Sequence, residues 1–145
     1  MHSALPLTSL HDVSAQQGHI RAAEFIGSIY FWGQGAAIDY PRAMAAYKVG
    51  AEGGDAVSQW QVGFMYYYGR GVAVDYHQAR PWIEKAAAQD YLDAVGQLAL
   101  MYNDGAGVTS SWRRARELLT KMSELGDSQA VKDMQDLTEG IHKVS

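Results

Sequence analysis

The stretch Ala56-Val57-Ser58-Gln59-Trp60-Gln61-Val62-Gly63-Phe64-Met65-Tyr66-Tyr67-Tyr68-Gly69-Arg70-Gly71-Val72 decides the fold, because its key features recur 36 residues away on either side. Gly33-Gln34-Gly35 precedes Gly69-Arg70-Gly71 at that distance, and Gly105-Ala106-Gly107 follows it. Tyr30, Tyr66 and Tyr102 each stand three residues before the first glycine, and Ala43, Ala79 and Ala115 stand ten residues after it. A fixed period of this length marks stacked supersecondary units. Such units pack mainly on their neighbours and together present an extended surface.

Working outward from that stretch, each unit reads as two antiparallel helices joined at Gly-x-Gly. The first helix of unit one is expected over roughly 19–32, with Ala22, Ile26, Ile29 and Tyr30 at helical spacing on one buried face. The same face returns as Ser58, Val62, Met65 and Tyr66, then as Ala94, Leu98, Met101 and Tyr102. Gly27 and Gly63 fall mid-helix, with Ala99 in unit three. A glycine there costs about 0.5–1 kcal/mol relative to alanine, so its return is expected to be close approach of the partner helix.

The second helices open at Asp39-Tyr40, Asp75-Tyr76 and Ser111-Trp112, where Asp or Ser can accept free backbone N–H groups. Pro41 falls in a first turn, where a missing N–H costs nothing. Ala43, Tyr47 and Ala51 form the buried stripe, matched by Ala79, Ile83 and Ala87 and by Ala115, Leu119 and Ser123. Gly54 and Gly126 close units one and three, with Asp90 in that place in unit two. Pro81 lies at the sixth position of its helix and predicts either a kink or a distorted first turn, with regular helix starting near Arg80.

The fold class is therefore all-α: an α/α superhelix, or solenoid, of three 36-residue helix-turn-helix repeats with partial flanking helices, about seven helices in all. Residues 1–145 form one repeat domain. Residues 1–18 are a partial preceding unit, because Ala15 and Gly18 lie 36 residues before Ala51 and Gly54. The repeats span 19–54, 55–90 and 91–126, and 127–145 is a capping helix with Ala130 and Met134 in register with Ala94 and Leu98.

Composition narrows the function. Net charge is −4, whereas a nucleic-acid binder needs a basic face. There is no cysteine, which excludes a disulfide scaffold, a thiolate zinc site and a cysteine nucleophile, and suits a reducing or an oxidising compartment equally. No stretch approaches the roughly 20 apolar residues of a membrane span. Met1–Leu7 has no signal-peptide pattern, which favours the cytoplasm; a periplasmic or secreted location fits a chain trimmed of its leader. The five histidines, at 2, 11, 19, 77 and 142, have no ligand spacing, and the acids form no recurrent pair. Each Gly-x-Gly follows a helix and lacks the third glycine of a dinucleotide fingerprint. Arg113, Arg114, Arg116 and Lys121 read as a solvated helix face. No cofactor, metal or catalytic residue is expected.

These residues resemble the Sel-1-like repeat family, a relative of the tetratricopeptide repeats. Unit two carries most of its pattern, in Ala56, Ser58, Val62, Gly63, Tyr66, Gly69, Gly71, Val72, Asp75, Ala79, Trp82, Ala86 and Ala87. Unit one has Ala46 for the tryptophan and Ala36 for the valine, and unit three departs at Ala99, Ser111, Leu118, Met122 and Ser123. The resemblance implies first helices lining a concave face, and a role as a bacterial adaptor or scaffold for a protein or peptide partner. It also implies two alternatives: a hydrolase related to cell-wall metabolism, since some cysteine-rich members are linked to such activity, or an immunity partner of a secreted toxin. This chain lacks those cysteines. Self-association stays open, because the array has an incomplete unit at each end.

Positions between the family pattern should face that groove. The expected protein-binding residues are Phe31, Trp32, Trp60, Phe64, Tyr67, Tyr68, Leu100, Asn103 and Asp104, with Phe31 and Tyr67 expected to be exposed. An aromatic surface bounded by acids suits a peptide with apolar anchors and a basic flank. The opposing reading is that aromatics at helical spacing are core, and Trp60 divides evenly between the two.

Overall fold

The computed structural model describes residues 10–126 together with Lys132 and Asp136. The described residues form an all-α superhelical array of α1 (Leu10–Trp32), α2 (Tyr40–Glu52), α3 (Ala56–Tyr68), α4 (Tyr76–Ala88), α5 (Leu92–Asp104) and α6 (Trp112–Glu124). Each helix packs chiefly on its neighbours in sequence. The seventh helix, expected over 127–145, lies outside the described residues apart from Lys132 and Asp136, which are helical. Residues 1–9 lie outside them too.

Local chemistry explains the helix starts. Asp39, Asp55, Asp75 and Ser111 each accept the N–H three residues on, at 3.1, 2.8, 3.0 and 3.2 Å. Each satisfies a donor that has no partner inside the helix. The N–H groups of Asp39, Asp75 and Ser111 in turn bond the carbonyls of Tyr30, Tyr66 and Tyr102, at 2.9, 2.9 and 2.8 Å. This tie recurs once per unit and folds each second helix back on its first. At the other end, Gly69 takes φ +68° and closes α3 on the Met65 carbonyl, a left-handed conformation that side chains with a Cβ avoid.

The mid-helix glycines give close packing, as expected. A Cβ on Gly27 would lie 2.7 Å from the Tyr47 ring, and one on Gly63 would lie 2.5 Å from Ile83 Cγ1. Tyr47, Val62, Met65, Ile83, Val95, Met101 and Leu119 are fully enclosed and form the spine of the core.

Three expectations need correction. Helix α1 runs unbroken through Gly18, although the first helix of unit one was expected to begin only near residue 19, after a separate preceding unit. The equivalent positions Gly54, Asp90 and Gly126 all have left-handed backbone, with φ of +95°, +61° and +108°. Gly18 does not, so it is a helical residue and no turn.

Second, Ala22 and Ile26 are exposed, although their counterparts Ser58, Val62, Ala94 and Leu98 are buried. Helix α3 is covered by α2 on one side and α4 on the other, whereas among the described residues α1 packs mainly on α2. Its buried stripe is therefore Ala23, Gly27 and Phe31, one helical face only.

Third, α4 begins at Tyr76, not near Arg80, and continues through Pro81. The Asp75 cap sets the first turn: its carboxylate accepts the Gln78 N–H, and the Gln78 side-chain amide donates back to it at 3.0 Å. Pro81 lies on the exposed side of the helix.

Candidate functional site

The first helices carry a connected array of aromatic rings. Along α3, Trp60, Phe64 and Tyr68 stack at i, i+4 and i+8, with centroids 5.2 and 4.6 Å apart. Tyr67 joins Tyr68 at 4.8 Å and reaches Tyr76 of α4 at 4.8 Å. Phe64 meets Phe31 of α1 at 6.1 Å, and Phe31 meets Trp32 at 4.8 Å. Trp60 meets Tyr91, just before α5, at 5.8 Å.

Exposure separates the expected residues into a surface and its support. Trp32 is 58% exposed and Tyr68 41%. Trp60, Phe64, Tyr67 and Leu100 are half-buried, and Asp104 is exposed. Phe31 is only 6% exposed and Asn103 only 8%. Phe31 was expected at the surface, but it sits under Tyr40, Tyr47 and Phe64 and is core. Asn103 supports the end of α5: its amide donates to Asp104 at 3.2 Å, and its carbonyl accepts from Ser110 Oγ at 3.3 Å. Trp60 belongs to both classes. It packs against the core, and its buried indole Nε1 has no acceptor among the described residues.

Carboxylates border this surface at both ends. Near Trp60, burial pushes the Tyr91 hydroxyl up to about 12, and Asp93, Glu24 and Asp55 add to the rise. Burial and then Asp55 hold the Glu24 carboxyl above the usual carboxylate range. Near the other end of α3, burial followed by Asp104 pushes the Tyr67 hydroxyl up to about 12. Burial accounts for most of each rise, and the neighbouring acids add a smaller part by disfavouring a second negative charge. Acids thus act on Tyr91 beside Trp60 and on Tyr67 near the end of α3.

Five cations among the described residues sit on other rings. Arg42, Lys48, Lys85, Arg114 and Arg116 lie over Tyr30, Tyr66, Trp82, Tyr102 and Trp112, at 4.6–5.9 Å. The basic stretch on α6 is internally engaged: Arg114 pairs with Glu117 at 3.1 Å, and Lys121 with Asp90 at 3.0 Å. Among the described residues no three His, Asp or Glu side chains gather as they would around a metal ion, and no helix is long and apolar enough to cross a membrane.

Sequence reasoning missed Tyr40, Tyr76 and Tyr91 as neighbours of the surface. A signal existed for Tyr91: it occupies the capping position held by Asp55 one period earlier. It makes no side-chain cap bond, so its ring can pack on Trp60.

The Sel1 repeat family matches residues 20–55, 56–91 and 93–127. No curated protein matches the chain. Among solved structures, the chain superposes on a protective antigen present in uropathogenic Escherichia coli strains that displays an SLR fold. That match has a TM-score of 0.74 and 34% identity, and covers 79% of this chain but 24% of the longer one. A Sel1 repeat protein from Oxalobacter formigenes matches with a TM-score of 0.72 and 29% identity, over 88% of this chain and 99% of that one. Cysteine-rich protein B of Helicobacter pylori shares the fold, with a TM-score of 0.65 and 19% identity over 84% of this chain and 95% of its own.

Proposed function

Because the chain belongs to the Sel1 repeat family, whose members generally act as protein-interaction scaffolds, we propose that it is a non-enzymatic adaptor that docks a protein or peptide on the concave face lined by α1, α3 and α5. The observation that carries this reading is the exposure of Trp32 and Tyr68 beside the half-buried Trp60, Phe64 and Tyr67. Large aromatics left partly in water over a rigid base are what interface hot spots require. Contiguous exposed apolar surface marks interaction sites more often than scattered apolar residues do. Trp60, Phe64, Tyr67 and Tyr68 are also held in place before binding, since each meets two or more other rings, so little side-chain entropy remains to be lost there.

The test is site-specific photo-crosslinking in lysate of the source organism. A benzophenone side chain replaces Tyr68 in one sample and Trp112, 52% exposed on α6, in another. The expected result is one protein crosslinked from position 68 and not from 112, with capture lost in a folded Trp32→Ala variant. Equal capture from both positions, or capture indifferent to Trp32, refutes the assignment of the face.

A further inference from the structure

Resting on that docking face, we infer that its occupant is a basic, extended peptide segment, with apolar side chains on the Trp60–Phe64–Tyr68 ridge and a cationic side chain at each end of it.

The chain's cation–ring contacts among the described residues all go to Tyr30, Tyr66, Trp82, Tyr102 and Trp112. The ridge rings carry none. Its ion pairs among the described residues use Asp39, Glu84, Glu117 and Asp90. Glu24, Asp55 and Asp93 at one end of the ridge, and Asp104 at the other, take part in none of these pairs. Rings without cations, bordered by carboxylates in no ion pair among the described residues, form a surface whose electrostatic complement the described residues do not supply.

The hydrogen bonds of Asp55 and Asp104 leave an oxygen of each for a partner, and Asp93 bonds the Tyr91 side chain. Asp55 accepts from the Ser58 N–H and hydroxyl through one oxygen, Oδ2, at 2.8 and 2.7 Å. Asp104 accepts from the Asn103 amide through Oδ1. Arg21 shares a cleft with Asp55 without pairing to it, and Arg70 donates to the Tyr68 carbonyl at 3.3 Å. His77 follows Tyr76 and is exposed.

Geometry sets the spacing. Seven residues of helix separate Trp60 from Tyr67, about 10 Å at 1.5 Å per residue. An extended or polyproline II segment covers that distance in about three residues. The cations therefore belong three or four residues apart, with apolar residues between them. A cation over an exposed ring beside a carboxylate contributes about three- to tenfold in affinity. An acidic segment or a nucleic acid meets repulsion at both ends.

The test is selection of a displayed library of random dodecapeptides on the whole chain, followed by fluorescence anisotropy with the most enriched peptide. The inference predicts enriched peptides that combine Lys or Arg with aromatic or large aliphatic residues. It predicts affinity that falls with added salt and drops about tenfold in Asp93→Asn/Asp104→Asn. Glu124→Gln, exposed at the end of α6, should leave affinity unchanged. Enriched peptides with no excess of positive charge, but dependent on Trp32 and Tyr68, overturn the inference while leaving the docking face standing. Basic peptides that bind Trp32→Ala/Tyr68→Ala as well as wild type overturn both. Failure to enrich any peptide overturns the inference, and the crosslinking result then decides the docking face separately.

Discussion

Replacing Gly63 with alanine should destabilise the protein, although helix propensity alone says the reverse. Alanine is favoured over glycine inside a helix by about 1 kcal/mol. Against this, the new Cβ would lie 2.5 Å from Ile83 Cγ1 and 3.1 Å from the Ala79 carbonyl oxygen. Ile83 is fully enclosed and cannot swing into solvent, and the carbonyl belongs to the α4 backbone. Overpacking costs about 1–3 kcal/mol, and an enclosed side chain at 2.5 Å with backbone at 3.1 Å puts this case in the upper part of that range, at about 2–3 kcal/mol, so the net loss is about 1–2 kcal/mol, or roughly 3–6 °C in Tm for a domain of this size. Gly18→Ala is the control: it lies within α1 with nothing within 4 Å of its Cβ, so it should gain about 0.5–1 kcal/mol. Urea unfolding followed by circular dichroism measures both, with an unchanged m-value confirming that the comparison is fair. In the Ile83→Ala background only the 3.1 Å approach to the Ala79 carbonyl remains, and Gly63→Ala should cost less than it does in the wild-type background. A Gly63→Ala variant as stable as wild type would refute the close α3–α4 approach. A destabilised Gly18→Ala would refute the continuity of α1.

Three further predictions follow from the same geometry. Gly54→Ala, which places a Cβ on a residue with φ of +95°, should cost about 1–2 kcal/mol by thermal melting even though nothing touches the new atom. Phe31→Ala should cost about 3–5 kcal/mol by urea titration because the ring is buried, whereas Trp32→Ala should stay within about 1 kcal/mol of wild type. Stability should fall as pH rises from 10 toward 12, because the Tyr47, Tyr67 and Tyr91 hydroxyls are pushed up to about 12 in the fold and the unfolded chain ionises first. Ultraviolet phenolate titration should show part of the tyrosine signal delayed to that window, and a single transition near 10 would contradict it.

The repeat made most of the fold legible before any coordinates. Glycine pairs, capping aspartates and alanine stripes at one fixed period each carry a local physical meaning, and α2 to α6 follow it. The misreadings concern α1 and α4. Gly18 and Gly54 are the same residue type at equivalent positions, yet one is helical and the other left-handed. Glycine tolerates both conformations, so sequence could not separate them. Ala22 and Ile26 have the pattern of core residues, but a repeat at the end of the described array has a neighbour on one side only.

At the candidate site the sequence located the ridge on α3 but not its depth. Phe31 and Tyr67 occupy equivalent positions, and Phe31 is buried because Tyr40 and Tyr47 close over it. The acids around Tyr91 come from three helices or their caps, and their convergence appears only in three dimensions.

The measurement that bears most directly on the account is the affinity of the crosslinked partner, once identified, for wild type and for Trp32→Ala/Tyr68→Ala, with melting temperatures recorded on the same samples. The account predicts a loss of about a hundredfold or more, the scale of two aromatic anchors, with the fold intact. Equal affinity for the two folded proteins would contradict the claim that the aromatic face is where this scaffold binds.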